Sequence, residues 1–288
     1  MNLTVFGATG VVGQALLQLL KDDHEVVAVS RRPCDGDGIR WVEADVVSGA
    51  GIAAALEGAS VAYYLVHSLG ARDFERQDRA AAQNVSRQAA RAGLEQIIYL
   101  GGLGGDGPDT SPHLRSRRET AAHLARDGVP VTTLRAAMVI GKGSAAFETI
   151  LSLVKRLPIM ITPSWVSTPT QPIALADIAR YLVGVAGNEA AIGETFDAGG
   201  PEIMTCRQMI ERIAALLGRR PRIVEVPVLT PALSALWLEL VTPVNASMAR
   251  PLVEGLLTPT VAREERLRSL LPFEPTPFDD AARRALET

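Results

Sequence analysis

Cysteine is nearly absent: two residues in 288, Cys34 and Cys206, lie far apart with no metal-ligand spacing around either. A disulfide framework and a metal site of cysteine type are excluded, and a reducing, cytoplasmic setting is expected. Basic charge is not in excess either. Lys and Arg number 29 against 32 Asp and Glu, mixed along the chain, for a formal charge of −3. Nothing resembles the basic footprint of a nucleic-acid binder. Long hydrophobic runs are missing as well. Near the C-terminus the longest, Leu229 to Val241, is broken by Glu239 and is too short to span a bilayer. The N-terminus shows no cationic or apolar region of a secretory signal and runs directly into a strand. A soluble protein with no nucleic-acid partner and no membrane span is therefore expected. What is present, 47% hydrophobic and 21% charged residues, suffices for one large domain or a domain with a lobe.

Short apolar runs alternate with segments of helical period. Residues 3–6, 26–30, 40–42, 61–65, 96–100 and 132–135 read as strands rich in Val, Ile and Tyr, most of them apolar on both faces. Helices are predicted over 11–21, 52–56, 74–92 and 114–126. This alternation is that of an α/β Rossmann fold, a doubly wound parallel sheet, over residues 1–140. Beyond it, Pro158, Pro163, Pro169 and Pro172 predict a loop-rich stretch. Helices over 175–186 and 207–217, strand-like pieces at 194–197 and 223–226, and an apolar helix pair over 231–257 follow. Residues 141–288 thus read as a small, mostly helical C-terminal substrate lobe, with segments returning to the sheet and no independent folding.

The strongest local signal is Gly7-Ala8-Thr9-Gly10-Val11-Val12-Gly13, which leaves a strand and opens a helix. Gly7 permits a tight turn, Gly10 a close backbone approach to a diphosphate, and Gly13 close packing of helix on strand. The free N–H groups and positive end of such a helix suit a diphosphate. In NAD-selective sites an Asp or Glu ends the second strand and binds the ribose 2′-OH. Here that strand ends Ser30-Arg31-Arg32, without an acid. Two guanidinium groups suit a 2′-phosphate, so NADP(H) is expected over NAD(H), unless both arginines are merely solvated. Asp45, after the third strand, reads equally as an acceptor for the adenine amino group and as a helix cap.

With Ala44-Asp45-Val46 after the third strand and Tyr64-Leu65-Val66-His67-Ser68 after the fourth, the glycine turn is similar to that of the atypical short-chain dehydrogenase/reductases. More narrowly the chain resembles their NmrA-like branch and its bacterial YbjT-like members, through residues 113–124, 130–148, 165–183 and 197–205. The resemblance implies an adenine contact at Asp45 and Val46. It also implies that Leu65, Val66 and His67 lie beside the ribose and nicotinamide, with Ala136 to Val139 along the cofactor's far side.

Active members of that superfamily carry a Ser after the fifth strand and a Tyr-x-x-x-Lys on the next helix, which together protonate a carbonyl. Gly101 and Gly102 stand in place of the Ser, and the helical window reads His113-Leu114-Arg115-Ser116-Arg117. Arg117 could bind the nicotinamide ribose but is a poor proton relay. His67 and His113 remain as candidate acids, with a structural role the alternative for each. Tyr63, Tyr64 and Tyr99 read as core residues, and Asp106 and Asp109 as solvent-facing. Lys142 reads as solvated, and Ser144 as the cap of a further helix. The apolar segment 229–257, with Trp237, reads as the roof of an oily substrate pocket, a homodimer face or part of the lobe's own core.

Two functions fit. One is an NADPH-dependent oxidoreductase acting on a hydrophobic carbonyl, enone or quinone, in which hydride chemistry belongs to the cofactor. The other is a non-catalytic NADP(H)-binding sensor or regulator of NmrA type. An epimerase fits less well, because it needs a strong base where the chain offers only histidines.

Overall fold

The apolar runs of the first half lie side by side as parallel strands: β1 (Asn2–Phe6), β2 (Glu25–Ser30), β3 (Arg40–Glu43), β4 (Val61–Tyr64), β5 (Gln96–Gly102) and β6 (Val131–Ala136). Shorter pieces follow as β7 (Val139–Ile140), β8 (Ile159–Pro163), β9 (Pro169–Thr170) and β10 (Ile173–Ala174). The chain then returns to the sheet as β11 (Thr195–Ala198), before β12 (Met204–Thr205) and β13 (Arg222–Val226). Seven strands form the central sheet in the order β11-β6-β5-β4-β1-β2-β3, every neighbouring pair parallel. Strand order reverses at β1, and the crevice beyond the strand ends there is where open sheets of this kind bind ligands. This computed structural model describes all residues except 33, 37, 69–72, 105–110, 227–256 and 288, and omits the side chains of 164 and 165. The apolar segment 229–257 (Leu257 apart), with Trp237, and the acids Asp106 and Asp109 lie outside the described residues.

Helices cover both faces. On one, α1 (Val11–Leu20) and α6 (Leu175–Gly184) set Leu16, Leu20, Ile178 and Leu182 against Leu3 and Val5 of β1. On the other, α2 (Ile52–Ala55), α3 (Phe74–Ala92) and α4 (Pro112–Leu124) face Phe6, Tyr64 and Tyr99. Small residues on the inner side of α3 (Ala81, Ala82, Val85, Ala89) leave room for these rings. Tyr63, Tyr64 and Tyr99 are buried core residues, as their strand positions imply. A separate core joins α5 (Ala145–Arg156), α7 (Cys206–Leu216) and α9 (Phe278–Glu287) through Phe147, Met209, Ile213 and Phe278. A short helix, α8 (Arg266–Leu270), adds Leu267 to the first face.

Two local expectations need correction. The proline-rich stretch 158–172 is not loop throughout: β8 pairs in parallel with β13, and β9 pairs with β12. Its prolines sit where a missing N–H is tolerated, as with Pro163 at the last position of β8. Ser144 does precede α5, but its hydroxyl donates to the Val139 carbonyl at 2.6 Å instead of capping the helix. The nearby Gly143 N–H is taken by Glu148 Oε1 at 2.9 Å.

Asp197 in β11 joins sheet to C-terminal chain. Its side chain is fully buried and accepts from Arg135 Nε of β6 at 2.7 Å and from the Arg263 N–H at 2.9 Å. Removing the carboxylate takes a buried charge partner away from a guanidinium that is itself largely enclosed. Asp197→Ala is therefore expected to lower stability by about 3 kcal/mol in urea unfolding. A loss below about 0.5 kcal/mol, the ordinary surface value, would show that the pair does not hold these elements together.

Candidate functional site

The glycine turn closes tightly after β1. Gly7 has φ +87°, and a Cβ there would lie 3.0 Å from the Leu65 carbonyl carbon and oxygen, so torsion and close approach both require glycine. The Gly10 N–H returns to the Gly7 carbonyl at 3.0 Å. A Cβ on Gly13 would sit 2.2 Å from that same carbonyl oxygen, which is why α1 can rest flush against the turn. Gly10 precedes α1 in an extended conformation, no side chain caps the helix and its first turn holds no acid. The N–H groups of Val11, Val12 and Gly13 therefore open the helix with no acceptor among the described residues. Unpartnered N–H groups at a positive helix end, beside a turn that tolerates no side chain, fit a dinucleotide's diphosphate. Thr9 is exposed at the rim of this cradle.

Further along the crevice, Arg31 and Arg32 are exposed just past β2. The Arg32 N–H rests on Ser30 Oγ at 3.2 Å, and among the described residues no carboxylate pairs with either guanidinium. Asp45 is half-buried, and its Oδ1 accepts from the Val47 N–H at 2.9 Å. It caps its own turn and not a helix, since α2 begins after Gly51. Val46 is buried, and its carbonyl and that of Val47 are held by Asn84 Nδ2 of α3 at 3.1 and 3.0 Å. Asn84 thus braces the turn expected to meet adenine. Sequence reading missed it, although a lone Asn among the alanines of α3 was the available signal.

At the centre of the sheet, β4 continues into Leu65 and Val66, both half-buried, with the Leu65 N–H on the Phe6 carbonyl at 3.0 Å. His67 follows, exposed at the mouth of the crevice. Across from it, Ser111 Oγ caps α4 by accepting from the Leu114 N–H at 3.3 Å, which sets His113 in the first turn. Arg117, one turn on, donates to the Leu100 carbonyl, and its guanidinium lies 5.3 Å from the centre of the Tyr99 ring. The Tyr99 hydroxyl donates to the Arg117 carbonyl at 3.0 Å. Ala136 ends β6 beside Gly102 and its carbonyl accepts from the Leu103 N–H at 2.9 Å.

The two histidines and Arg117 thus form one electrostatic cluster. Protein mass around the crevice desolvates the His67 ring, and with the Arg117 charge this lowers its pKa from 6.5 to about 4. For His113, desolvation comes first, then Arg117 and then His67, and the value falls to about 3. Both rings are neutral near neutral pH. Beneath them lies Asp78 of α3, buried, its carboxylate between the Ser68 N–H and the Ser116 hydroxyl. Sequence reading did not single it out. On the other side of the cradle, Lys142 is exposed and borders a groove of about 700 Å³ with Val11, Gln14 and Trp41.

Residues 7–189 match the family described as NAD(P)H-binding. Among curated proteins, the (4-alkanoyl-5-oxo-2,5-dihydrofuran-3-yl)methyl phosphate reductase of Streptomyces griseus is 25% identical over 231 residues, 78% of this chain and 77% of that protein. Among solved structures, the NADPH-dependent quinone oxidoreductase of Escherichia coli, complexed with NADPH, superposes with a TM-score of 0.80 at 20% identity, covering 99% of this chain and 100% of the other. The triphenylmethane reductase of Citrobacter sp., complexed with NADP(H), gives a TM-score of 0.76 at 16% identity, with 99% and 100% covered. The likeness to these solved structures bears out the expected Rossmann-type fold. No helix among the described residues is long and apolar enough to cross a membrane.

Neutral imidazoles carry a consequence for stability. Unfolding returns each ring toward its ordinary value of 6.5, so the unfolded chain binds the extra protons. Stability is then lost as pH falls from 6.5 to about 4, the window between the two His67 values. Replacing His67 and His113 together with Gln is expected to flatten the fall of the urea midpoint across that window. An unchanged slope would mean that the rings are charged in the folded chain.

Proposed function

We propose that this chain, which belongs to the NAD(P)H-binding family, is an NADPH-dependent reductase of a small hydrophobic carbonyl, enone or quinone. The observation that carries the reading is the pairing of an uncapped α1 N-terminus with Arg31 and Arg32, two exposed guanidinium groups with no acid beside them. The first suits a diphosphate, the second a ribose 2′-phosphate. Gly7, Thr9, Gly10, Val11, Val12 and Gly13 would hold the diphosphate. Asp45 and Val46 would meet the adenine, and Leu65, Val66 and Ala136 the ribose and nicotinamide. When bound, the cofactor supplies hydride.

The chain's own part follows from its electrostatics. A neutral imidazole donates a hydrogen bond readily but gives up a proton poorly, so His67 and His113 orient the acceptor oxygen while solvent delivers the proton. Desolvation by the surrounding protein, with the Arg117 charge second, keeps both rings neutral, and the Arg117 N–H groups not spent on Leu100 serve the nicotinamide ribose. Such a site suits quinones and activated alkenes, whose reduction needs little acid catalysis, better than unactivated ketones. The name of the Escherichia coli neighbour, a quinone oxidoreductase that uses NADPH, supports this acceptor class.

Purified chain mixed with NADPH and a panel of quinones, enones and ketones is expected to consume the reduced nicotinamide fastest with quinones, followed by absorbance. Tight NADPH binding without consumption would favour the sensor instead. In titrations, Arg31→Ala with Arg32→Ala is expected to weaken NADPH by about tenfold or more, since each charged hydrogen bond contributes about 1.5–3 kcal/mol. NADH binding should change little, and equal losses for the two nucleotides would reject the 2′-phosphate assignment.

A further inference from the structure

We propose that Asp78 is the positioning residue of this site, holding the turn that carries His67 against the helix that carries His113 and Arg117. Its role is inferred on the reductase reading above. Each carboxylate oxygen has its own partner. Oδ1 accepts from the Ser68 N–H at 2.8 Å, and Oδ2 from the Ser116 hydroxyl at 3.4 Å. Ser68 shares a peptide plane with the His67 carbonyl, so anchoring that N–H fixes the backbone torsion that aims the imidazole. Ser116 lies one helical turn beyond His113 and directly before Arg117, so the same carboxylate sets how deep that face of α4 sits in the crevice.

A helix contact alone does not call for a carboxylate here. Farther along α3 the inner positions are Ala81, Ala82 and Val85, which pack without charge. At the surface, Arg115–Glu75 at 3.0 Å and Arg79–Glu119 at 3.7 Å already join α3 to α4. Asp78 is buried, with only 5% of its surface accessible, and an enclosed carboxylate is costly unless donors converge on it. The donors that do converge belong to the two segments bearing the site's histidines. Charge and position can be separated by sign. A negative charge favours imidazolium, so removing charge alone leaves the His67 ring neutral or lowers its pKa further. Releasing the turn lets the ring move away from the crevice wall and from the Arg117 charge, and raises its pKa instead.

The test uses the full chain with labelled histidine, the His67 resonance assigned from His67→Gln, and ring titrations followed by NMR. Asp78→Ala is expected to move the His67 titration up by about one pH unit toward its ordinary value. Asp78→Asn, which keeps an acceptor for the Ser68 N–H, is expected to leave it unmoved or lower. In turnover, Asp78→Ala should lower kcat about tenfold or more with NADPH affinity nearly kept, as misplacement of a reacting geometry does. Asp78→Asn should restore most of that loss. If Asp78→Ala fails to fold, Ser116→Ala, which removes only the α4 half of the bridge, should raise the His67 titration by a smaller amount. A folded alanine variant whose His67 titration matches the parent overturns the proposal. The titration needs no substrate, so a parent chain that binds NADPH but reduces no acceptor refutes the reductase reading alone, and the NMR result still decides the role of Asp78.

Discussion

Everything in the crevice depends on how closely α1 approaches the turn after β1. Two positions without a Cβ make that approach. Gly7 lies against the Leu65 backbone, and Gly13 lies so near the Gly7 carbonyl that a methyl group would overlap it. The contact does more than pack a helix. It points the first N–H groups of α1 into the crevice at the place where strand order reverses, and leaves them without side-chain acceptors. A phosphate-bearing ligand replaces what a cap would otherwise supply.

Around that cradle, the elements divide the work of bracing from the work of contact. Asn84 and Asp78 both project from α3, the helix behind β4 and β5. Asn84 holds the carbonyls of Val46 and Val47, while Asp78 holds the turn after β4. One helix thereby braces two turns at the rim of the crevice, the one after β3 and the one after β4. A long, alanine-lined helix suits this role because it sits close to the sheet and moves little against it.

The electrostatics of the site run against an ordinary acid–base arrangement. Where short-chain dehydrogenase/reductases place a Tyr-x-x-x-Lys pair, this chain places His113 and Arg117, and glycines fill the position of the Ser. An Arg cannot relay a proton, and its charge depresses both neighbouring imidazoles. On the proposed reading, such a weakly acidic wall orients an acceptor more readily than it protonates one.

The primary structure by itself determined the parallel sheet, its first six strands within a residue or two and the glycine cradle, because short apolar runs and Gly spacing are local properties of the chain. α3 was legible to the residue, from Phe74 to Ala92. Its inner polar residues, Asp78 and Asn84, were not legible, because only the packing of α3 on the sheet turns them inward. The strand pairs β8–β13 and β9–β12 were likewise invisible, since each joins segments dozens of residues apart across a proline-rich stretch. Tertiary structure also decided that His67 and His113, 46 positions apart in the chain, share one positive neighbour. Long-range geometry sets burial and charge proximity, and no local pattern of residues encodes either.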